Sequence, residues 1–321
     1  MIKYVLKRLL WMIPIVFCVA VLIFTLMYFV PGDPAVIMLG SNATQEEVEQ
    51  KREELGLNDP YYKRLGNYLE NVFFHFDFGK SLTDGTSVTD TLVERFPRTA
   101  ILALASTIFA MLIGTPLGIT AAVHPNTWKD SISMIISLLF VSMPRFWFAL
   151  ILVIIFSLKL HWLPSQGLGG VKYFILPIVA NSVMTLALQA RQTRSSMLTA
   201  LRSDYIITSR AKGVSERDLI YKHALPNALI PIITTLFNAL SGGVAGSLII
   251  ENVFGIPGIG SYLIQAVNNR DYFAVQGTVI FIAIMLSLVV LFADIMYAFA
   301  DPRIKSQFEG SKKRRIKEVS V

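Results

Sequence analysis

Six long apolar runs, at roughly 9–30, 99–123, 132–158, 174–190, 228–250 and 274–300, alternate along this chain with segments rich in charge, glycine and proline. A helix crosses a bilayer core with about 20 mostly apolar residues. The pattern therefore predicts an all-α polytopic membrane protein with six transmembrane helices. The first run follows "MIKYVLKR" and continues to Val30 without a small-residue cleavage site, so it reads as a retained helix (residues 1–30) and not a removed signal.

Polar punctuation organises the rest. Residues 31–98 are too long for a connector and carry helix signals: Thr44 with Glu47 forms a capping box and Gly56 a stop. Asp59-Pro60 opens a second helix to about Phe74, and Ser87 with Asp90 caps a third ending near Pro97. These residues form a small helical subdomain between the first two spans. The core, 99–300, holds the other five spans and one substantial polar loop, 191–227, and a basic tail follows at 301–321. Within that loop, Ser203 or Asp204 caps a helix through Lys212, and Gly213 ends it in a left-handed conformation. Ser215 with Asp218 makes a second capping box for a short helix through about Ala224, which Leu225-Pro226 closes. The loop is predicted to be a rigid elbow of two short helices.

The composition agrees with a membrane chain: 54% of 321 residues are hydrophobic, 16% are charged and the mean hydropathy is +0.56. The distribution of charge sets a topology. With the N-terminus inside, cytoplasmic segments hold 18 of the 29 lysines and arginines, so both termini are placed in the cytoplasm and residues 31–98 outside. The tail "KKRRIK" is read as a topology or lipid signal, with no nucleic-acid partner. Cys18 is the single cysteine and lies in the first run, and His75, His124, His161 and His223 lack metal-ligand spacing. There is no catalytic constellation, no P-loop and no cofactor site expected in the chain, so any energy input comes from a partner or an ion gradient.

The elbow resembles the cytoplasmic loop of ABC-importer permeases, whose motif places a glycine nine residues and one Ile-x pair before Leu-Pro. Aligned on Gly213, the Leu-Pro falls on Leu225 and Pro226, while Ile207, Thr208 and Ser209 occupy the EAA positions without the acidic residue, and His223 occupies the Ile position. "VPGDPA", "REELGLNDP", "DFGKSL", "FPRTAILALAS", "SMPRFW", "ENVFGIPGIG" and "DPRIK" follow in order. They are similar to landmarks of the dipeptide, oligopeptide and nickel permeases of the B type. The resemblance implies the ABC type I importer permease fold and a half-channel that imports peptides. Its partners would be a second homologous permease, two ABC ATPases that bind ATP and Mg, an extracytoplasmic substrate-binding lipoprotein, and membrane lipids. It implies an ATPase-coupling surface of Thr208, Ser209, Ala211, Lys212, Gly213, Ser215, Glu216, Arg217, Asp218, His223, Leu225 and Pro226.

The spans offer further candidates. Asn181, Thr185 and Gln189 recur every four residues and share a face, suited to pore lining or to interhelical hydrogen bonds; Asn238 and Glu251 join them as pore or gate candidates. Arg145, beside Pro144 in the third run, either meets a substrate carboxylate or pairs with Asp294 or with carbonyls freed by the proline. In the fifth run Ala239, Gly243 and Ser247, and beside them Gly242 and Gly246, form small-residue rows for close helix packing, between permease halves or within the chain. Alternatives are the same architecture carrying nickel or another solute, and an ion-driven secondary transporter.

Overall fold

The computed structural model describes residues 2–40 and 42–300; the basic tail lies outside them. Helix dominates, in the order α1 (Ile2–Phe29), α2 (Pro34–Leu39), α3 (Gln45–Glu54), α4 (Tyr61–Glu70), α5 (Val88–Val123), α6 (Trp128–Ser142), α7 (Arg145–Leu152), α8 (Lys172–Leu201), α9 (Asp204–Ala211), α10 (Glu216–Asp218), α11 (Leu225–Val253), α12 (Ile259–Asn268) and α13 (Tyr272–Ala300). Three of them widen into π-helical turns, at Asn71–His75 after α4, Val153–Lys159 after α7 and Leu219–Ala224 after α10. Among the described residues five helices are long and apolar enough to cross a membrane, six if the bent pair α6–α7 is one broken span.

Three boundaries differ from the sequence expectation, each for a physical reason. The third run is not straight: Trp128–Ser142 and Arg145–Lys159 meet at a bend of 105°, because Pro144 forces Met143 out of the helical region (φ −78°, ψ 130°). The helix capped by Ser87 does not stop at Pro97; it continues through Pro97 and Pro116 as the second span. Leu92 and Leu102 on either side of Pro97 are fully buried, and such packing offsets the hydrogen bond each proline removes. The short helix after Ser215 is not closed at Leu225-Pro226 either. The chain passes through one π turn directly into α11, with Leu225 N–H donating to Ile220 O five residues back. That wider turn makes room for the Pro226 ring, and Asn227 Nδ2 supplies His223 O with a donor at 2.8 Å.

Helices α5, α8 and α11 pack closely at the centre. Gly114 and Gly118 of α5 lie against the backbone of Leu186, Ala190 and Arg194 on α8, where a side chain would collide. The two rows on α11 diverge. Gly243 packs inward on Ala103 and Thr107 of α5, whereas a Cβ on Gly242 would meet nothing within 4 Å. Gly246 is helical, but its surroundings lie outside the described residues.

Residues 31–98 contain short helices, the second of which has Pro60 and not Asp59 as its N-cap, with no side-chain cap bond. The Thr44–Glu47 capping box is complete, with Thr44 N–H donating to Glu47 Oε2 at 2.8 Å and Glu47 N–H to Thr44 Oγ1 at 3.3 Å; the bonds that Thr44 N–H and Oγ1–H give the Glu47 carboxyl hold it below the usual range. Gly56 is left-handed at φ +64°. The segment is fastened to the spans by Thr25–Tyr61 (2.7 Å), by Ser81 donating to Asp271 (2.5 Å) and by an apolar cluster that joins Val72, Phe78 and Leu92 to Ala20 and Phe281.

Candidate functional site

Two sites stand at opposite ends of α11, and the sequence of each explains its geometry. At the inner end, Gly213 takes φ +80°, a conformation that L residues reach only with strain. Gly213 N–H bonds Arg210 O and Val214 N–H bonds Ser209 O, so the carbonyls that end α9 are satisfied by the turn itself. No neighbour lies within 4 Å of a Cβ at Gly213. The glycine is therefore required by its dihedral angle and not by close helix contact.

Across this turn Arg210 grips Glu216 in a two-pronged pair, at 2.7 and 3.1 Å, which raises the pKa of the exposed guanidinium. Ser215 Oγ accepts from Asp218 N–H at 3.2 Å. The reciprocal half of that predicted capping box is absent, because the Asp218 carboxylate instead pairs with Lys222 at 2.8 Å. The elbow's inner face is anchored: Ile206, Leu219 and Ala224 are fully buried with Met197 and Ile232. Its outer face is open, presenting Thr208, Ala211, Lys212, Ser215, Glu216 and Arg217, with the large side chains of Tyr205, Ile207 and Tyr221 among them. Ser209, Asp218, His223 and Leu225 are half-buried, and Pro226 is exposed.

At the outer end Glu251 is fully buried. Its Oε1 accepts from Thr99 Oγ1 at 2.7 Å, and its Oε2 from the backbone N–H groups of Gly260 (2.8 Å) and Ser261 (3.1 Å). Thr99 Oγ1 accepts in turn from Ile259 N–H at 2.9 Å. These N–H groups are the otherwise unpaired first turn of α12, so Glu251 caps that helix from a distance and favours its positive end. "ENVFGIPGIG" thus has a reason for its glycines. A Cβ on Gly258 would strike the Glu251 carboxylate and one on Gly260 the backbone of Leu248.

The polar residues of α8 are buried between helices of this chain. Asn181 Nδ2 donates to Ser106 Oγ at 3.3 Å, and Gln189 Nε2 reaches Thr115 Oγ1 and Ile232 O, each at 3.3 Å; Thr185 is buried on the same face. Asn238 of α11 is exposed. The expected Arg145–Asp294 pair does not form. Asp294 pairs with Arg8 at 2.9 Å, and among the described residues Arg145 reaches only Met184 Sδ, at 3.7 Å. Arg145 lies instead against α8, the helix on which α7 packs.

Sequence reasoning missed two groups. Thr99, Gly258, Gly260 and Ser261 were visible only as motif letters. Asp130 and Arg194, joined by bonds of 2.5 and 2.7 Å between the ends of α6 and α8, gave no local signal beyond one acid and one base near the same predicted surface.

Two family descriptions match the chain: the N-terminal portion of binding-protein-dependent transport system membrane components over residues 1–103, and the inner membrane component of such systems over residues 114–306. This chain belongs to that family. Among its relatives, a Brucella abortus protein named for a peptide transport system permease is 40% identical over 309 residues, covering 94% of this chain and 98% of the relative. The glutathione transport system permease protein GsiC of Escherichia coli (strain K12) is 37% identical over 305 residues, covering 95% and 99%. An inward-facing structure of the MetNI methionine ABC transporter matches the fold at a TM-score of 0.56 and 20% identity, over 66% of this chain and 96% of that one. The chain is thus a multi-pass inner-membrane permease subunit of an ABC importer.

Proposed function

We propose that this permease passes peptides across the cytoplasmic membrane, driven by ATP hydrolysis in two partner ATPases that bind the nucleotide and Mg. The observation that carries the coupling is the uninterrupted helix from the Ser215 cap to Val253. It is roughly 55 Å long at 1.5 Å per residue, with an exposed docking end and an outer end that holds α12. A packed helix shifts as a unit, so a displacement of the elbow is delivered to the other side of the membrane. The coupling surface is Thr208 to Asp218, with His223, Leu225 and Pro226 forming the root of the rod. The names of the relatives support peptide cargo, and glutathione is itself a short peptide.

In this reading both termini face the cytoplasm, residues 31–98 meet an extracytoplasmic binding protein, and the open Gly242 side of α11 with exposed Asn238 faces a second permease. Substituting Gly213 with tryptophan tests the coupling: folding and assembly should persist, because the space beside its Cβ is open and the left-handed backbone costs only about 1 kcal/mol, while peptide uptake falls and ATP hydrolysis continues. Full uptake in the assembled complex would refute the role of the elbow.

A further inference from the structure

Arg145 is the cation of the membrane interior that the described residues leave without a counter-charge. Its contact Met184 sits on α8 between the Asn181–Ser106 and Gln189–Thr115 bonds, well inside the span from Lys172 to Leu201. No described carboxylate lies within 4.0 Å, and a thioether sulfur is a weak acceptor. The acids that could have answered it are engaged elsewhere: Asp294 with Arg8, Asp130 with Arg194, and Glu251 with Thr99, Gly260 and Ser261.

The backbone around Arg145 is also unusual. Irregular backbone at membrane depth is stable only where it is buried in protein or lines a water-filled cavity, and ionisable groups there face the same places. Arg145 follows the 105° break, is itself half-buried, and is flanked by Phe146 and Trp147, each 47% exposed. The described residues of this chain therefore leave the surface around Arg145 open.

We infer that Arg145 binds the free carboxylate of a peptide in transit. A guanidinium presents a planar pair of donors that matches a carboxylate, and an unmodified linear peptide carries a C-terminal one. The inference rests on the peptide-import reading, and makes Arg145 a specificity residue within it.

The test uses the assembled importer, with its binding protein, in proteoliposomes. Uptake of a tripeptide with a free C-terminus is compared with uptake of its C-terminal amide, for wild type, Arg145→Gln and Arg145→Lys. The same binding protein loads every variant, so its own preference cancels. The ratio of free acid to amide should fall roughly tenfold in Arg145→Gln, the scale of one charge-assisted hydrogen bond, and largely return in Arg145→Lys. An unchanged ratio in Arg145→Gln overturns the inference. So does loss of the second permease on purification of that variant, which would make the charge a subunit contact. Absence of uptake of both peptides by the wild type overturns the peptide-import reading itself, and this inference with it.

Discussion

The two ends of the helix that begins at Glu216 and finishes at Val253 both display carboxylates, in opposite surroundings. Glu251 is fully buried, bonded to a hydroxyl and to the first-turn amides of α12. Glu216 stands in the open and Asp218 is half-buried, each answered by a long basic side chain of the same elbow, Arg210 or Lys222. A buried acid must have its partners because burial without them is expensive, whereas an exposed pair adds little to stability. The α12 end is thus built to hold its neighbour, whereas the charges of the elbow end contribute little to holding anything, as the proposed docking role requires.

The largest break in that contrast is Glu251→Ala. It leaves Thr99, Gly260 and Ser261 with buried donors and no acceptor, at about 1–3 kcal/mol each. Thermal unfolding of the purified complex should show a loss of at least ~3 kcal/mol, or the complex should fail to accumulate. Stability equal to wild type would mean that Glu251 does not hold α12. Next is Gly260→Ala, whose new methyl meets the Leu248 backbone, an immobile neighbour. Overpacking of this kind typically costs about 1–3 kcal/mol. The same assay should rank it between Glu251→Ala and any elbow variant.

Gly213→Ala comes third. The methyl has space, so the penalty is only the left-handed backbone, on the order of 1 kcal/mol. Here the comparison predicts a dissociation of readouts: little change in melting, and a clear drop in peptide uptake per ATP hydrolysed. Equal small losses in both would erase the distinction between a holding end and a transmitting end.

Much of this was legible from local chemistry. The spans followed from apolar run lengths, and Gly213 and the Thr44 cap from residue types whose preferences act within a few positions. Prolines were the least legible feature. Pro144 breaks its span, yet Pro97, Pro116 and Pro226 are absorbed, and the difference lies in the packing of α5 on its neighbours and in one π turn at Leu219–Ala224. The packing is not written near the proline, and the π turn, though adjacent to Pro226, has no residue signature of its own. Long-range partners were hidden for the same reason. Thr99 meets Glu251 across 152 positions, and Asp294 near the end of the spans pairs with Arg8 near their start.

Glu216→Gln should have the smallest effect on stability, and it probes the contrast most finely. The Arg210–Glu216 pair spans the Gly213 turn with good geometry, but its side chains are 52% and 64% exposed. Water already solvates both charges, and salt screens what attraction remains, with a screening length of about 3 Å near 1 M. Unfolding of Glu216→Gln should therefore match wild type, because Ile206, Leu219 and Ala224 hold the elbow from beneath. The pair's remaining effect is to fix the angle between α9 and α10, so a modest fall in coupled uptake is expected, which wild type should reproduce at high salt. A melting loss as large as that of Gly260→Ala would show that the inner end is held together by its surface charges, and would remove the difference between the two ends.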